Sequence, residues 1–133
     1  MSSIDLSLKK QTLLLQYLGS SPELFIKCSS IVKANYFDPE LRKTVQFLQD
    51  YYNQYNGIPT PLQIDAETGF ELNKIDLQRH EVEYCSDTIE EFCRTQAVVD
   101  EVSKSAIDIA EGNLSDIVER IRDAVMISLD KDM

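Results

Sequence analysis

The sequence predicts an all-α protein, with a compact head of about four helices in residues 1–75 and a long antiparallel helical hairpin in residues 76–133. Two observations predict this class. Apolar residues recur at spacings of three and four along most of the chain, which is the period of a helix that buries one face. Strand-like alternation never extends beyond a few residues. At 133 residues, the chain is long enough for one domain with a hydrophobic core.

Three helix starts in the head share one signal, a side chain that caps free amides followed by proline at the first helical position. The pairs are Ser21-Pro22, Asp38-Pro39 and Thr60-Pro61. Gln63 completes a capping box with Thr60. Together with a first helix capped by Asp5 and ended by Gly19, the head is predicted to contain helices at about 6–18, 21–30, 39–55 and 61–68.

The hairpin is predicted from a stretch without proline or glycine, Glu81 to Glu111, which as one helix is about 46 Å long at ~1.5 Å per residue. Its start lies between Asp76 and Glu81. Gly112 suits the turn after a helix, and Asn113 is the expected cap of the returning helix. The first helix has an apolar stripe, interrupted by the polar Gln96, of Val82, Cys85, Ile89, Phe92, Val99, Val102, Ala106 and Ile109. The returning helix has a facing stripe of Leu114, Ile117, Val118, Ile121, Ala124, Val125 and Leu129.

The charge of the chain is concentrated in its second part. The formal net charge is −10, and residues 65–133 carry seven Lys or Arg against eighteen Asp or Glu. Such a surface repels phosphate, so we expect no strong autonomous binding of nucleic acid. Two interpretations of the acidic surface stay open: a solvated face that keeps the protein soluble, or a site for a basic partner.

Cysteine usage and hydropathy bear on the compartment. Cys28, Cys85 and Cys93 form no CxxC motif, which indicates small buried residues in a reducing compartment rather than a disulfide framework or a zinc site. No run of about 18 uncharged apolar residues is present, and the N-terminus lacks a signal-peptide cleavage pattern. We expect a protein that does not enter membranes and acts in the cytoplasm of a bacterium or an infected host.

Residue patterns for catalysis are missing. His80 has no second histidine or spaced glutamate to complete a metal motif, and no glycine-rich phosphate loop occurs. The carboxylates Glu83, Asp87, Glu90 and Glu91 are interpreted as an exposed acidic face, with a carboxylate metalloenzyme kept as a minor alternative. We expect no catalytic residue, metal or cofactor in this chain.

A cluster of tyrosines suggests base stacking on single-stranded nucleic acid. It comprises Tyr36 and the tyrosines between Tyr51 and Tyr55. No arginines interleave with it, and Tyr52 and Tyr55 lie at positions that the helix period predicts to be buried. We therefore do not expect these tyrosines to form a stacking surface, and we expect Tyr52 and Tyr55 to be buried.

Four segments carry a resemblance that extends from about Leu13 to Asp130. They are Asn35 to Glu40, Tyr55 to Thr60, Glu90 to Ala97 and Ile121 to Leu129. In order and residue type they resemble the N-terminal domain of DnaB-type replicative DNA helicases, in the form found in the primase-helicase subunit of T-even-like phages. The likeness is spread over the chain and does not depend on one diagnostic motif.

The resemblance implies a collar domain of a hexameric ring, which self-associates and docks primase or a helicase loader. ATP and Mg²⁺ would be handled by a motor domain that follows a linker and is missing after Met133. The hairpin is too long for a head of some 75 residues to cover, so part of its stripe is expected to meet another copy; the alternative is a hairpin that packs entirely against its own head. The residues predicted for this contact are Phe92, Val99, Val102, Ile107, Ile117, Ile121 and Val125.

Charged residues are expected to support that contact, with Arg94, Lys104, Arg120 and Arg122 pairing with acidic neighbours of another copy. The alternative function is a complete small acidic adaptor, or a DNA-mimicking regulator of replication, that engages a basic partner. The end of the chain, Ile127 to Met133, has no helix C-cap and favours a domain boundary over a complete adaptor.

Overall fold

A computed structural model of the chain describes residues 7–127, which form six α-helices and one 3₁₀ turn and contain no strand. The predicted all-α class is confirmed. The helices are α1 (Leu8–Ser20), α2 (Pro22–Cys28), α3 (Pro39–Tyr55), α4 (Pro61–Thr68), α5 (Arg79–Ala110) and α6 (Ile117–Val125), with the 3₁₀ turn at Ala34–Tyr36.

All three predicted proline-marked starts are confirmed. The side chains of Ser21, Asp38 and Thr60 accept hydrogen bonds from amides in the first turns of α2, α3 and α4, at 3.1, 3.1 and 3.2 Å. Gln63 completes the capping box, because its side-chain oxygen accepts from the Thr60 amide at 2.8 Å. Short polar signals therefore fix where three of the helices begin.

The first helix differs from its prediction at both ends. It begins at Leu8 with Ser7 as its cap, whose hydroxyl accepts from the Lys10 amide at 3.2 Å; the predicted cap Asp5 lies outside the described residues. Gly19 does not end the helix but lies inside it. A Cβ atom at Gly19 would lie 2.9 Å from Cδ1 of Leu72, so the glycine serves the close approach of a distant side chain.

The segment between α4 and α5 is held along α1 by side-chain hydrogen bonds. The Asn73 amide donates to Oε1 of Gln16 at 2.7 Å, and the Ile75 amide donates to Oγ of Ser20 at 2.9 Å. These bonds satisfy backbone groups that no regular element pairs. The segment leads into α5 at Arg79, within the interval in which the sequence left the start open.

The first half of α5 belongs to the core. Its buried residues pack with α1, α2 and the 3₁₀ turn, and the ring of Phe92 lies 5.1 Å from that of Phe37. Gln96, the polar residue in the predicted stripe, donates from Nε2 to the Tyr36 carbonyl at 2.7 Å. The buried residues in this half are Val82, Cys85, Ser86, Ile89, Phe92, Cys93 and Ala97. The predicted division into residues 1–75 and 76–133 stays a prediction.

The turn between α5 and α6 is longer than the sequence suggests. Gly112 has the predicted left-handed backbone, with φ of 77°, and the Asn113 amide donates to the Asp108 carbonyl at 2.7 Å. Asn113 thus closes α5 instead of capping α6. The helix α6 begins only at Ile117, after Asp116 with its φ of 66°. Leu114 lies before α6 and is exposed. Leu129, the last residue of the predicted stripe, lies outside the described residues.

The tyrosines divide into buried and exposed residues. Tyr36 is buried, and Tyr52 is half-buried with its ring 5.4 Å from that of Phe25. The prediction that Tyr55 is buried is wrong, because its side chain is 61% exposed near the end of α3. The last turn of the helix extends beyond the core, where Tyr55 packs against the ring of Tyr51 instead of core residues.

All three cysteines are buried, as predicted, whereas the reducing compartment stays a prediction. Cys93 has no exposed area, and its burial raises the pKa of the thiol from 9.0 to about 12. Burial also raises the pKa of the Cys85 thiol. Because the thiolate is the reactive form, the raised pKa values reduce the reactivity of Cys85 and Cys93 in the folded chain.

We expect Cys93 in the folded protein to react with iodoacetamide roughly 1,000-fold more slowly than in urea, since a pKa three units higher reduces the thiolate fraction by that factor. Site-resolved mass spectrometry of the alkylated protein measures the rate. The unfolded chain releases this proton first, so the free energy of unfolding should also fall as pH rises from 9.0 towards about 12. Equal labelling rates in the folded and unfolded states would contradict the burial of this thiol.

Candidate self-association face

The second half of α5 packs against α6 through small and polar side chains. Ala97 and Ser105 of α5 and Ala124 of α6 are buried between the two helices. Arg94 Nε donates to the Ile127 carbonyl at 2.8 Å, and Arg120 pairs with Glu101 and Asp108. Because Arg94, in the middle of α5, meets Ile127 just after α6, whereas Asp108 near the end of α5 meets Arg120 in the first turn of α6, the two helices run antiparallel.

Arg120 is the polar link in this packing. Its Nη2 donates to Oδ2 of Asp108, and its Nε lies 3.4 Å from Oε2 of Glu101, an ion pair without hydrogen-bond geometry. The hydrogen bond to Asp108 is the main cause that raises the pKa of the guanidinium. Arg120 thus neutralises two carboxylates that lie on the same side of α5.

We expect Arg120→Gln to loosen α6, because it removes the cation that pairs with Asp108 and leaves Glu101 with Lys104 alone. Backbone amides of α6 should then exchange faster with solvent, and the urea midpoint should fall. Arg122→Gln is the matched control, since Arg122 is exposed on the same helix and forms no ion pair within residues 7–127. Equal effects of the two substitutions would contradict the role given to Arg120.

An apolar strip on α5 remains uncovered. At about 100° per residue, Val99, Val102, Ala106 and Ile109 lie roughly a third of a turn from the side that faces α6. All four are exposed, with Val102 at 51%. The neighbouring positions of this strip, Thr95, Ser103 and Ala110, carry no charge although the helix is rich in acidic residues.

The helix α6 extends the apolar strip of α5. Val118 and Val125 are exposed and lie about as far around α6 from its buried side as the strip lies around α5. Viewed along one direction, the residues of two antiparallel helices advance in opposite senses around their axes. Similar angles from the buried side of each helix therefore place both exposed rows on the same side of the hairpin. We define the hairpin face by the residues Val99, Val102, Ala106, Ile109, Val118 and Val125.

The seven residues predicted for contact with another copy lie in four different environments. Val99, Val102 and Val125 belong to the hairpin face. Ile117 and Ile121 are half-buried, towards α5, and the 61% exposed Ile107 lies on the opposite side of the hairpin. Phe92 is 1% exposed, so it has no surface to offer a second copy and is removed from the predicted contact.

Three of the four cations that the sequence predicts to pair with another copy form ion pairs within the chain. Arg94 pairs with Glu90 at 2.9 Å, Lys104 with Glu101 at 3.7 Å, and Arg120 with Asp108 and Glu101. Spacing along α5 accounts for the first two, because residues three and four apart are neighbours on a helix. Three of the four cations thus have partners within the chain, and of the four only Arg122 forms no ion pair within residues 7–127; pairing with another copy stays a prediction.

The residues considered from sequence as possible metal ligands lie along α5. His80 is exposed in the first turn of α5, and Glu83, Asp87 and Glu91 are exposed along it. Within residues 7–127, no three His, Cys, Asp or Glu side chains are arranged to hold a metal ion. None of the helices in that range combines the length and apolar content needed to cross a membrane.

Comparisons with known proteins add no assignment. Neither a protein-family model nor a curated protein nor a solved structure matches this chain. A proposal of function therefore rests on the hairpin face and the residues around it.

Proposed function

We propose that the chain is a self-association module whose hairpin face binds the same face of a second copy. The observation that carries the proposal is the uncharged apolar strip on α5, which is exposed in the single chain and is continued on α6 by Val118 and Val125, beside the cation Arg122. Contiguous exposed apolar surface rimmed by polar residues is typical of protein–protein contact sites. In a two-fold arrangement, one such face serves both partners.

The position of the face supports this proposal. The helices α1 and α2 and the 3₁₀ turn contact α5, and its buried residues before Ala97 lie in the shared core, whereas α6 covers only one side of its second half. We infer a head that packs on the start of the hairpin and a distal hairpin that extends from it. In that arrangement the head does not cover the hairpin face.

We further propose that the module is the N-terminal collar domain of a DnaB-type replicative helicase. The four resembling segments and the uncovered hairpin face support this assignment. In that function the chain would form dimers up to hexamers and dock primase or a helicase loader in the cytoplasm. ATP, Mg²⁺ and unwinding would belong to a separate motor domain of the full-length protein.

The coding sequence of the native gene tests the collar assignment. We expect the reading frame to continue past Met133 and to encode GxxxxGK[ST], the loop that cradles nucleotide phosphates. A stop codon there would contradict the collar and would favour the small acidic adaptor, for which the charge of residues 65–133 is the supporting observation. Self-association through the hairpin face is a separate question and would survive that result.

A further inference from the structure

A row of aromatic side chains, exposed at one end and half-buried along the rest, lies on α3, away from the hairpin face. Phe47, Tyr51 and Tyr55 follow one another at single-turn spacing, with ring centroids 6.0 Å and 4.8 Å apart. Phe47 and Tyr51 are half-buried, and Tyr55 is 61% exposed. Neighbouring rings fix the position of each side chain, so a ligand would meet a largely preformed surface.

The row forms one wall of a groove of about 390 Å³ between α3 and α4. The opposite wall, on α4, includes Ala66 and Glu67, and Asp50 lies on the α3 side. The groove is lined by no Lys or Arg. Its volume is at the lower end of the range for ligand sites in proteins, and suits one or two side chains of a peptide.

The two kinds of lining residue select the same type of ligand. The faces of aromatic rings carry negative electrostatic potential and attract cations, most often the guanidinium of arginine. Asp50 and Glu67 add carboxylates that pair with such a cation. The same carboxylates repel the phosphates of nucleic acid, although tyrosines alone would suit base stacking.

We propose that this aromatic groove docks an arginine-bearing peptide segment of a partner protein. The guanidinium stacks on Tyr51 or Tyr55 while Asp50 or Glu67 accepts its hydrogen bonds. The groove lies on helices that carry no residue of the hairpin face, so the proposal does not depend on self-association.

The probe is the capped peptide Gly-Arg-Gly-Arg-Gly, added to ¹⁵N-labelled protein and followed by amide chemical shifts. We expect saturable shifts centred on residues 47–67, and little response to the peptide in which citrulline replaces arginine. Tyr55→Leu should weaken binding about two- to fivefold, the value of one exposed cation–π contact. Glu67→Gln should also weaken it. Tyr84→Leu is the matched control, because Tyr84 is likewise 61% exposed but lies on α5, and it should leave binding unchanged.

Several results would overturn the proposal. Absence of saturable shifts, or shifts spread along the acidic residues of α5 and α6, would show that the groove selects no peptide. Equal binding of the citrulline peptide would remove the role of the cation. Tighter binding of oligo-dT in the groove would indicate a nucleic-acid site, and a loss of self-association in Tyr55→Leu would indicate that a second copy occupies it.

Discussion

Replacing Phe92 with alanine is expected to lower the free energy of unfolding by about 3–5 kcal/mol, the usual cost of deleting a buried aromatic side chain. The ring is fully enclosed, packs against Phe37, and joins α5 to the elements before it. Removing it leaves a cavity that rigid neighbouring helices fill only in part. Urea unfolding at low protein concentration, where association makes no contribution, measures the effect.

Val99→Ala is the control for this experiment, since Val99 is 45% exposed on the same helix and its truncation should change stability little. A Phe92→Ala variant with unchanged monomer stability but weaker association would place the ring at a contact between copies. That result would contradict its position in the core.

Replacing Val102 with aspartate is expected to weaken self-association at least about 100-fold. An unpaired carboxylate buried in an apolar contact costs several kcal/mol, and two-fold symmetry places the substitution on both sides of the contact. The fold should survive, because this side chain is 51% exposed and makes no core contact. Light scattering across a concentration series gives the dissociation constant, and circular dichroism checks the helical content.

Ile107→Asp is the matched control for Val102→Asp. Ile107 is 61% exposed on the same helix but lies on the opposite side of the hairpin. It should therefore leave the dissociation constant unchanged. An equal loss in both variants would indicate a general effect of added negative charge on an already acidic hairpin, and would remove the hairpin face from the contact. Substitution of Ile121 is a poorer test, because that side chain is half-buried towards α5.

The sequence was sufficient to predict the features that depend on local chemistry. Capping side chains and proline mark the starts of α2, α3 and α4, and the apolar period marks α5, because each signal acts within one or two turns. Gly19 shows the limit of such signals. A glycine that follows an apolar helical stretch commonly marks the end of the helix. Gly19 instead lies inside α1 and accommodates Leu72, which is 53 positions away in sequence and is brought close only by the fold.

The contact residues show a second limit. The apolar period of α5 identifies which positions are apolar but not which element covers them. Phe92 and Val102 both lie on the predicted apolar stripe, yet Phe92 is enclosed and Val102 is exposed. Ala106, Ile109 and Val118 belong to the apolar stripes that the sequence predicts but not to the predicted contact. Their place on the hairpin face follows from the rotation of α6 against α5, which residues such as Arg120 and Ser105 set.

Sedimentation velocity of the unmodified chain, from low micromolar to near-millimolar concentration, tests the hairpin face as a contact between copies most directly. We expect the mass to rise from that of one chain to that of at least two. Added salt should strengthen the association, because it screens repulsion between two acidic hairpins while the apolar contact remains. A mass of one chain under all of these conditions would contradict this contact.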